Sequence, residues 1–401
     1  MKRGIEADNM KVEGLEVLKR VTYIESPSPA AVGEALNSWP DLSREVILVL
    51  VAETSVPVLG EVIGRLKGSR ARFVGAVVPG LICNGEVHLQ GILMLRLRSA
   101  ISPLLIRLDD RDEGYPADIL RLNEALAESG GTLLILVDGL NGRISSFLRE
   151  ISGLLGNHVA YLGGGAGYTD LVQRPCIFSA AGVFSDAAVV VPLPCRAKVG
   201  IRHGFERVGP LLVATRTNND RVYEIDWRNA FEVYRDVVSK TCAAEVDQQN
   251  FSAMAPYHPL GIIRERAKEL IQDPVAAFPD GSLKCLGRIP ENSPMSIMNG
   301  NPEAMIRAAR DAGRVLREAS RAAAEGEKCR PDIGIIIDCV SRFLLLGDRF
   351  GEELSAVLHN GNEGTLKIPI AGFLSIGEIG CSGEGWVDFH NKTVVTGVLY
   401  E

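Results

Sequence analysis

The sequence of 401 residues has no stretch long and apolar enough to span a bilayer as a helix. Such a helix needs about 20 consecutive apolar residues. The clean apolar runs here, such as Val46 to Ala52 and Ala187 to Val191, are far shorter. A secretory leader is not expected either. The opening MKRGIEADNMKVEGLEVLKR has early basic residues but no apolar segment. Basic excess is also missing: 43 Lys and Arg face 50 Asp and Glu, a formal net charge of -7. That argues against a general nucleic-acid binder. The eight cysteines (Cys83, Cys176, Cys195, Cys242, Cys285, Cys329, Cys339 and Cys381) form no C-x-x-C pair. Reduced, buried thiols in a cytoplasmic protein are the expectation.

Common catalytic motifs are lacking as well. No glycine-rich loop ends in Gly-Lys-Ser/Thr, so there is no P-loop. The run Gly163-Gly164-Gly165-Ala166-Gly167 misses the sixth-position glycine of the dinucleotide fingerprint, where Tyr168 stands. Two uses stay open for that run: a tight strand-to-loop turn, or backbone amides offered to a polar ligand. None of His88, His158, His203, His258, His359 and His390 pairs with another at helical spacing, so no metal is expected. A G-x-S-x-G elbow is absent. Cys339 is the best-placed nucleophile, at a strand-to-helix turn beside Arg342, where a thiolate is stabilised. A small buried plug is the competing reading. Binding is therefore favoured over catalysis, and no cofactor is expected.

What is present is a packed-protein composition, 46% hydrophobic and 23% charged. The length fits two domains. One pattern occurs three times: strand, polar turn, helix, second strand ending in glycine, loop, hairpin. The first copy runs from strand Val46–Ala52 through Glu53-Thr54-Ser55 and helix 57–66 to strand 72–75 and a hairpin near 86–97. The second has strand 132–137, turn Asp138-Gly139, helix 143–155, strand 158–162, and a hairpin pairing 177–184 with 187–192 through Ser185-Asp186. The third has strand 333–337, turn 338–342, helix 343–358, strand 367–371 ending at Gly372, and a hairpin of 386–389 with 393–399 through Asn391-Lys392. Each strand–helix–strand step is a right-handed parallel crossover, and the hairpins add antiparallel strands. The fold class expected is α/β (mixed α+β), with mixed sheets flanked by helices in two linked domains. Open sheets of this kind bind ligands beyond the carboxyl ends of their parallel strands.

Between the second and third copies, residues 239–279 are polar and proline-marked, which suits a domain junction. A long helix is expected over 302–325, capped by Asn301 and stopped by Gly326. Its stripe of Arg307, Arg310, Arg314, Arg317 and Arg321 reads as a solvated face, with a partner or phosphate surface as the rival.

Several segments together resemble one family. IIIDCVSRFLLLG, IAGFLSIGEIG and VDFHNKTVV resemble the C-terminal FIST domain. AYLGGGAGYTD, GIRHGFERVGP and VATRTNNDRVYEID resemble the N-terminal FIST domain, and YHPLGI and PDGSLKCLGRIPENSPM the start of the C-terminal one. The expected spans are 21–222 and 223–396. The resemblance implies a sensory, ligand-binding role, with small molecules such as amino acids as ligands. With no output domain in this sequence, a separate signalling partner is expected, and no nucleic acid or membrane. Some relatives resemble haem-based sensors and others recruit proteins, so an adaptor is the second reading. His258, before Pro259, is a haem-ligand candidate by analogy only; a plain turn histidine competes with it.

Two residues carry the sharpest expectation. Arg342 and Glu378 both follow parallel strands of the third copy, so both fall at the carboxyl edge of its sheet. They are expected at the mouth of one pocket with Cys339 below, a pairing suited to a zwitterion. Phe373, Asn391, Gly163, Gly164 and Gly165 complete the expected ligand set. The competing reading has Arg342 and Glu378 pairing with each other.

Overall fold

The structure is a computed structural model of the chain. It describes residues 10–12, 15–17, 20–39, 42, 45–69, 71–99, 101–109, 116–126, 130–242, 245–264, 268–325, 330–359, 366–381 and 387–400. Cys329, Trp386 and the first nine residues lie outside these.

The first unit comprises β1 (Val21–Ile24), β2 (Glu45–Ala52), α1 (Leu59–Gly68), β3 (Phe73–Val78), the hairpin β4 (Gly80–Cys83) and β5 (Glu86–His88), and β6 (Ile92–Arg98). The second repeats it: β7 (Leu104–Arg107), β8 (Gly131–Asp138), α2 (Ile144–Leu155), β9 (Val159–Ala166), hairpin β10 (Ile177–Ser179) and β11 (Gly182–Phe184), and β12 (Ala187–Leu193). The third opens with β13 (Lys198–Arg202) and is then interrupted by an insertion. The insertion holds β14 (Phe205–Asn218), β15 (Arg221–Ile225), α3 (Ala230–Cys242), β16 (Leu260–Ile262), β17 (Leu270–Gln272), β18 (Pro274–Ala277), β19 (Leu283–Cys285) and β20 (Ser293–Gly300). Helices α4 (Pro302–Ala312) and α5 (Arg314–Glu325) lead back to β21 (Pro331–Cys339), α6 (Val340–Leu346), α7 (Phe350–Leu358), β22 (Ile370–Ser375), hairpin β23 (Glu378–Cys381) and β24 (Val387–His390), and β25 (Val394–Tyr400).

The expected parallel pairs are present: β2 with β3, β8 with β9, and β21 with β22. Each unit closes with an antiparallel strand beside its first parallel one. The hairpins do something local patterning does not show. Hairpin β10–β11 extends the first unit's sheet, β23–β24 extends the second's, and β4–β5 extends the third's. The three units thus exchange hairpins in a cycle. All three sheets share the order lead strand, closing strand, first parallel strand, second parallel strand, borrowed hairpin. In the first, two short strands, Met10–Val12 and Leu15–Val17, extend the sheet beyond the lead strand.

This exchange corrects the sequence-based hairpins. Ser185-Asp186 and Asn391-Lys392 do reverse the chain, with Asp186 at φ 48° and Lys392 at φ 52°. The outgoing strands β12 and β25, however, pair in a different sheet from the incoming ones. The glycines expected to end the second strands lie inside them instead. A β-carbon on Gly75, Gly163 or Gly372 would overlap the carbonyl oxygen of Val49, Ile135 or Ile336. The three pairs occupy the same register position in the three units. Glycine is retained there because the neighbouring strand leaves no room for a side chain.

The parallel strands are buried on both faces, which accounts for their unbroken apolar runs. Leu134 and Leu136 join Val49, Leu162, Ile337 and Phe373 in a core shared by all three units. Leu133, Ile135 and Val137 face Phe147 and Ile151 of α2. Each such Leu or Ile contributes about 1.5–3 kcal/mol.

Residues 239–279, expected as a junction, build much of the insertion: an antiparallel sheet packed on α3, with Tyr234 and Phe251 in its own core. The helix expected over 302–325 is two helices. It breaks at Gly313, where any side chain would strike the Val357 backbone. Arg307, Arg310, Arg314 and Arg321 are exposed, but Arg317 turns inward and donates to the Val357 (2.7 Å) and Arg310 (2.8 Å) carbonyls. Among the described residues no helix is long and apolar enough to cross a membrane.

Candidate functional site

The insertion lies across the carboxyl ends of the parallel strands of units two and three. At unit three the resulting junction is closed and charged. Helix α6 begins directly after β21, which places Arg342 one turn beyond Asp338. Arg342 is 0% exposed. Its Nε and Nη2 donate to Glu353 at 2.8 Å each. Nη1 donates to the His203 and Lys392 carbonyls, and Nη2 also to the Met305 carbonyl (3.1 Å). All five N–H groups of the guanidinium are thereby used. Burial alone works against this cation, and the Glu353 and Asp338 carboxylates more than offset it.

Asp338 is 0% exposed and lies 3.4 Å from Arg342 Nε, with neither oxygen hydrogen-bonded. Burial, then the nearby Glu353 charge, holds its carboxyl well above the usual range. Glu378 is equally enclosed; it accepts from Ser375 Oγ (2.6 Å) and the Thr393 amide (3.1 Å). Burial pushes its pKa up to about 8. Burial, then the Glu378 charge, likewise raises the Cys339 thiol, so it stands protonated at neutral pH. That state does not suit a nucleophile.

No hydrogen bond or ion pair joins Arg342 to Glu378, and both are fully enclosed. The other expected ligand residues are engaged internally. Phe373 is core, and Asn391 accepts from the Asp273 amide (3.1 Å). Gly163, Gly164 and Gly165 lie buried within β9; the Gly165 amide donates to the Gly377 carbonyl (2.7 Å) and its carbonyl accepts from the Ile376 amide (2.8 Å). His258 is 4% exposed, its ring bonded to the Met298 backbone. Among the described residues no cluster of three or more His, Cys, Asp and Glu could hold a metal ion.

Sequence reasoning missed the partners that close this end. Lys392, 0% exposed, spans from unit three to the insertion through Asp273 Oδ2 (2.8 Å) and also meets Ser341 Oγ (2.7 Å). Glu353 had a visible signal: it shares a helical stripe with Phe350 and Val357, and a carboxylate on an apolar stripe calls for a buried cation. Lys392 and Asp273 had none, because their meeting depends on where the insertion docks.

At unit two the same junction is open. A cleft of about 230 Å³ separates the end of β8 from the insertion. One wall is Leu140, Asn141, Gly142, Ile144 and Ser145 at the start of α2; the other is Asn219, Asp220 and the segment Lys284–Arg288, with Phe389 from β24 between them. The rim is fixed by Asp138, which accepts from the Asp186 amide (2.8 Å) and Gln173 Nε2 (2.9 Å). Asn141 adds a bond to Asp186 Oδ1 (2.7 Å). Behind the cleft, Gln272 lies under Gly287 and bonds weakly to the Phe389 carbonyl (3.5 Å). Such a recess, walled by apolar side chains and a few polar groups, is the ordinary form of a small-molecule site.

The comparison with curated proteins gives no match. A family model described as the FIST N domain matches residues 46–228, and one described as the FIST C domain matches residues 230–381. FIST domains are in general sensory domains implicated in small-ligand binding and signalling. The two matches follow one another through most of the three-unit core and its insertion, and the chain belongs to the FIST family.

Proposed function

We propose that this chain is a small-molecule sensor whose ligand, a small polar metabolite such as an amino acid, occupies the cleft between unit two and the insertion. The observation that carries this is the contrast in access. The unit-two junction is an open recess, whereas the unit-three junction is sealed by Arg342, Glu353, Lys392 and Asp273. A ligand touching both walls favours one position of the insertion and shifts its population. Phe389 in the cleft and Lys392 beyond it flank one turn, so occupancy has a short route to the Lys392–Asp273 contact. A separate output protein would read that position.

The test is a thermal-shift screen of amino acids and other small metabolites, on the parent and on Ser145→Trp. Filling the cleft should abolish any ligand-induced rise in melting temperature and leave the unliganded midpoint nearly unchanged. A ligand that stabilises both proteins equally binds elsewhere, and the cleft reading fails.

A specific observation favours a second reading, recognition of a protein partner. Trp227 is 80% exposed at φ 59° in the turn after β15, and its amide is held by Thr215 Oγ1 (2.9 Å). A bulky residue at positive φ is strained, and rigid exposed tryptophans anchor interfaces. Trp227→Ala should leave ligand binding unchanged and weaken output coupling if that surface is used. Unaltered coupling would remove this second reading.

A further inference from the structure

We infer that the cleft selects anions: its ligand presents a carboxylate or phosphate group to Lys284 and Arg288. This rests on the cleft being the ligand site and goes on to name the ligand's charge. The two cations flank the buried Cys285 and Gly287 on one wall. Both are exposed, and neither is paired with a carboxylate among the described residues. The facing wall is the first turn of α2, a helix of 12 residues with no acidic residue in that turn and no side-chain cap. The Ile144 and Ser146 amides are bonded to the Asn141 and Arg143 carbonyls, so this wall offers the positive end of the helix dipole, and it faces two free cations across one recess. The Asn219 carboxamide nitrogen lies beside Gly142, adding a neutral donor. Asp220, half-buried, is the acidic residue in the lining.

Composition does not explain this local sign, because the whole chain carries a net charge of -7. A positive recess in a negative molecule is a local arrangement, and low-dielectric walls concentrate its field.

Methyl-labelled protein reads the cleft directly, since Leu140, Ile144, Leu171, Val275 and Leu286 line it. Succinate, succinamide and 1,4-diaminobutane are close in shape and differ in charge; inorganic phosphate tests the second anion class. Succinate or phosphate should shift these methyls saturably, and the neutral and cationic probes should not. The double variant Lys284→Gln/Arg288→Gln should weaken anion binding by roughly tenfold or more, with the unliganded melting temperature within about 2 °C of the parent. Succinamide or diaminobutane binding as well as succinate would overturn the anion assignment and leave the cleft standing as the ligand site. Undiminished anion binding in the double variant would overturn the assignment too. If none of the four probes moves these methyls, the cleft reading falls along with it.

Discussion

The ends of β8 and β21 are equivalent places in the repeat, and they have been put to different uses. Register alignment matches Asp138 with Cys339 and Asp186 with Lys392. In unit two, the carboxylate at the strand end binds the Asp186 turn from below, and the space beyond stays open. In unit three, the strand ends in a thiol, the turn residue is a lysine, and that lysine reaches across to Asp273. One exchange of charge sign at the turn separates a rim from a latch. A repeated fold can thus keep three similar sheets while leaving one junction open and closing another.

The largest expected effect lies in the closed junction. Arg342→Ala would leave Glu353 buried and unpaired at 0% exposure. The expected cost is about 3–5 kcal/mol, measured by chemical denaturation. Arg288→Ala in the open cleft should cost within about 0.5 kcal/mol. Equal losses for the two would erase the distinction between brace and rim.

Glu378 sharpens the comparison through pH. Its folded pKa of about 8 lies above the ordinary 4.5. Between those values the folded chain keeps a proton that the unfolded chain has released. Stability therefore declines as pH rises through this window and levels off above it. The Glu378 share of the decline is expected to be on the order of 3–5 kcal/mol; the raised Asp338 carboxyl adds to the same decline, so the slope should become shallower in Glu378→Gln. An unchanged pH profile in that variant would show that Glu378 is not the group responsible.

The glycines give a third contrast, shared by all units. Gly372→Ala forces a side chain into the Ile336 carbonyl and should cost about 1–3 kcal/mol. Gly64 in α1 has nothing within 4 Å of the added carbon. Gly64→Ala should stabilise by roughly 0.5–1 kcal/mol. The opposite sign at either position would mean that the close strand approach is not what retains glycine.

Much of this arrangement is legible in the sequence. The three copies, their parallel pairs and the carboxyl edge as the place to look all follow from local patterning and strand chirality. The glycines Gly75, Gly163 and Gly372 mark corresponding positions in each copy, though as points of close approach and not as strand ends. The hairpin exchange was not legible, since β10 carries no local mark that its partner is β3. Nor was the sealing of Arg342 and Glu378. Whether an edge is open depends on what docks against it, and the insertion that does so has the polar, proline-marked composition of a linker.

The central claim is that a ligand binds at unit two and not at unit three. Hydrogen exchange on the protein with a stabilising metabolite from the thermal-shift screen tests it most directly. Protection is expected in residues 139–145 and 284–288, with little change in 338–342 and 375–381. Protection confined to the second set, with the first unaffected, would contradict it.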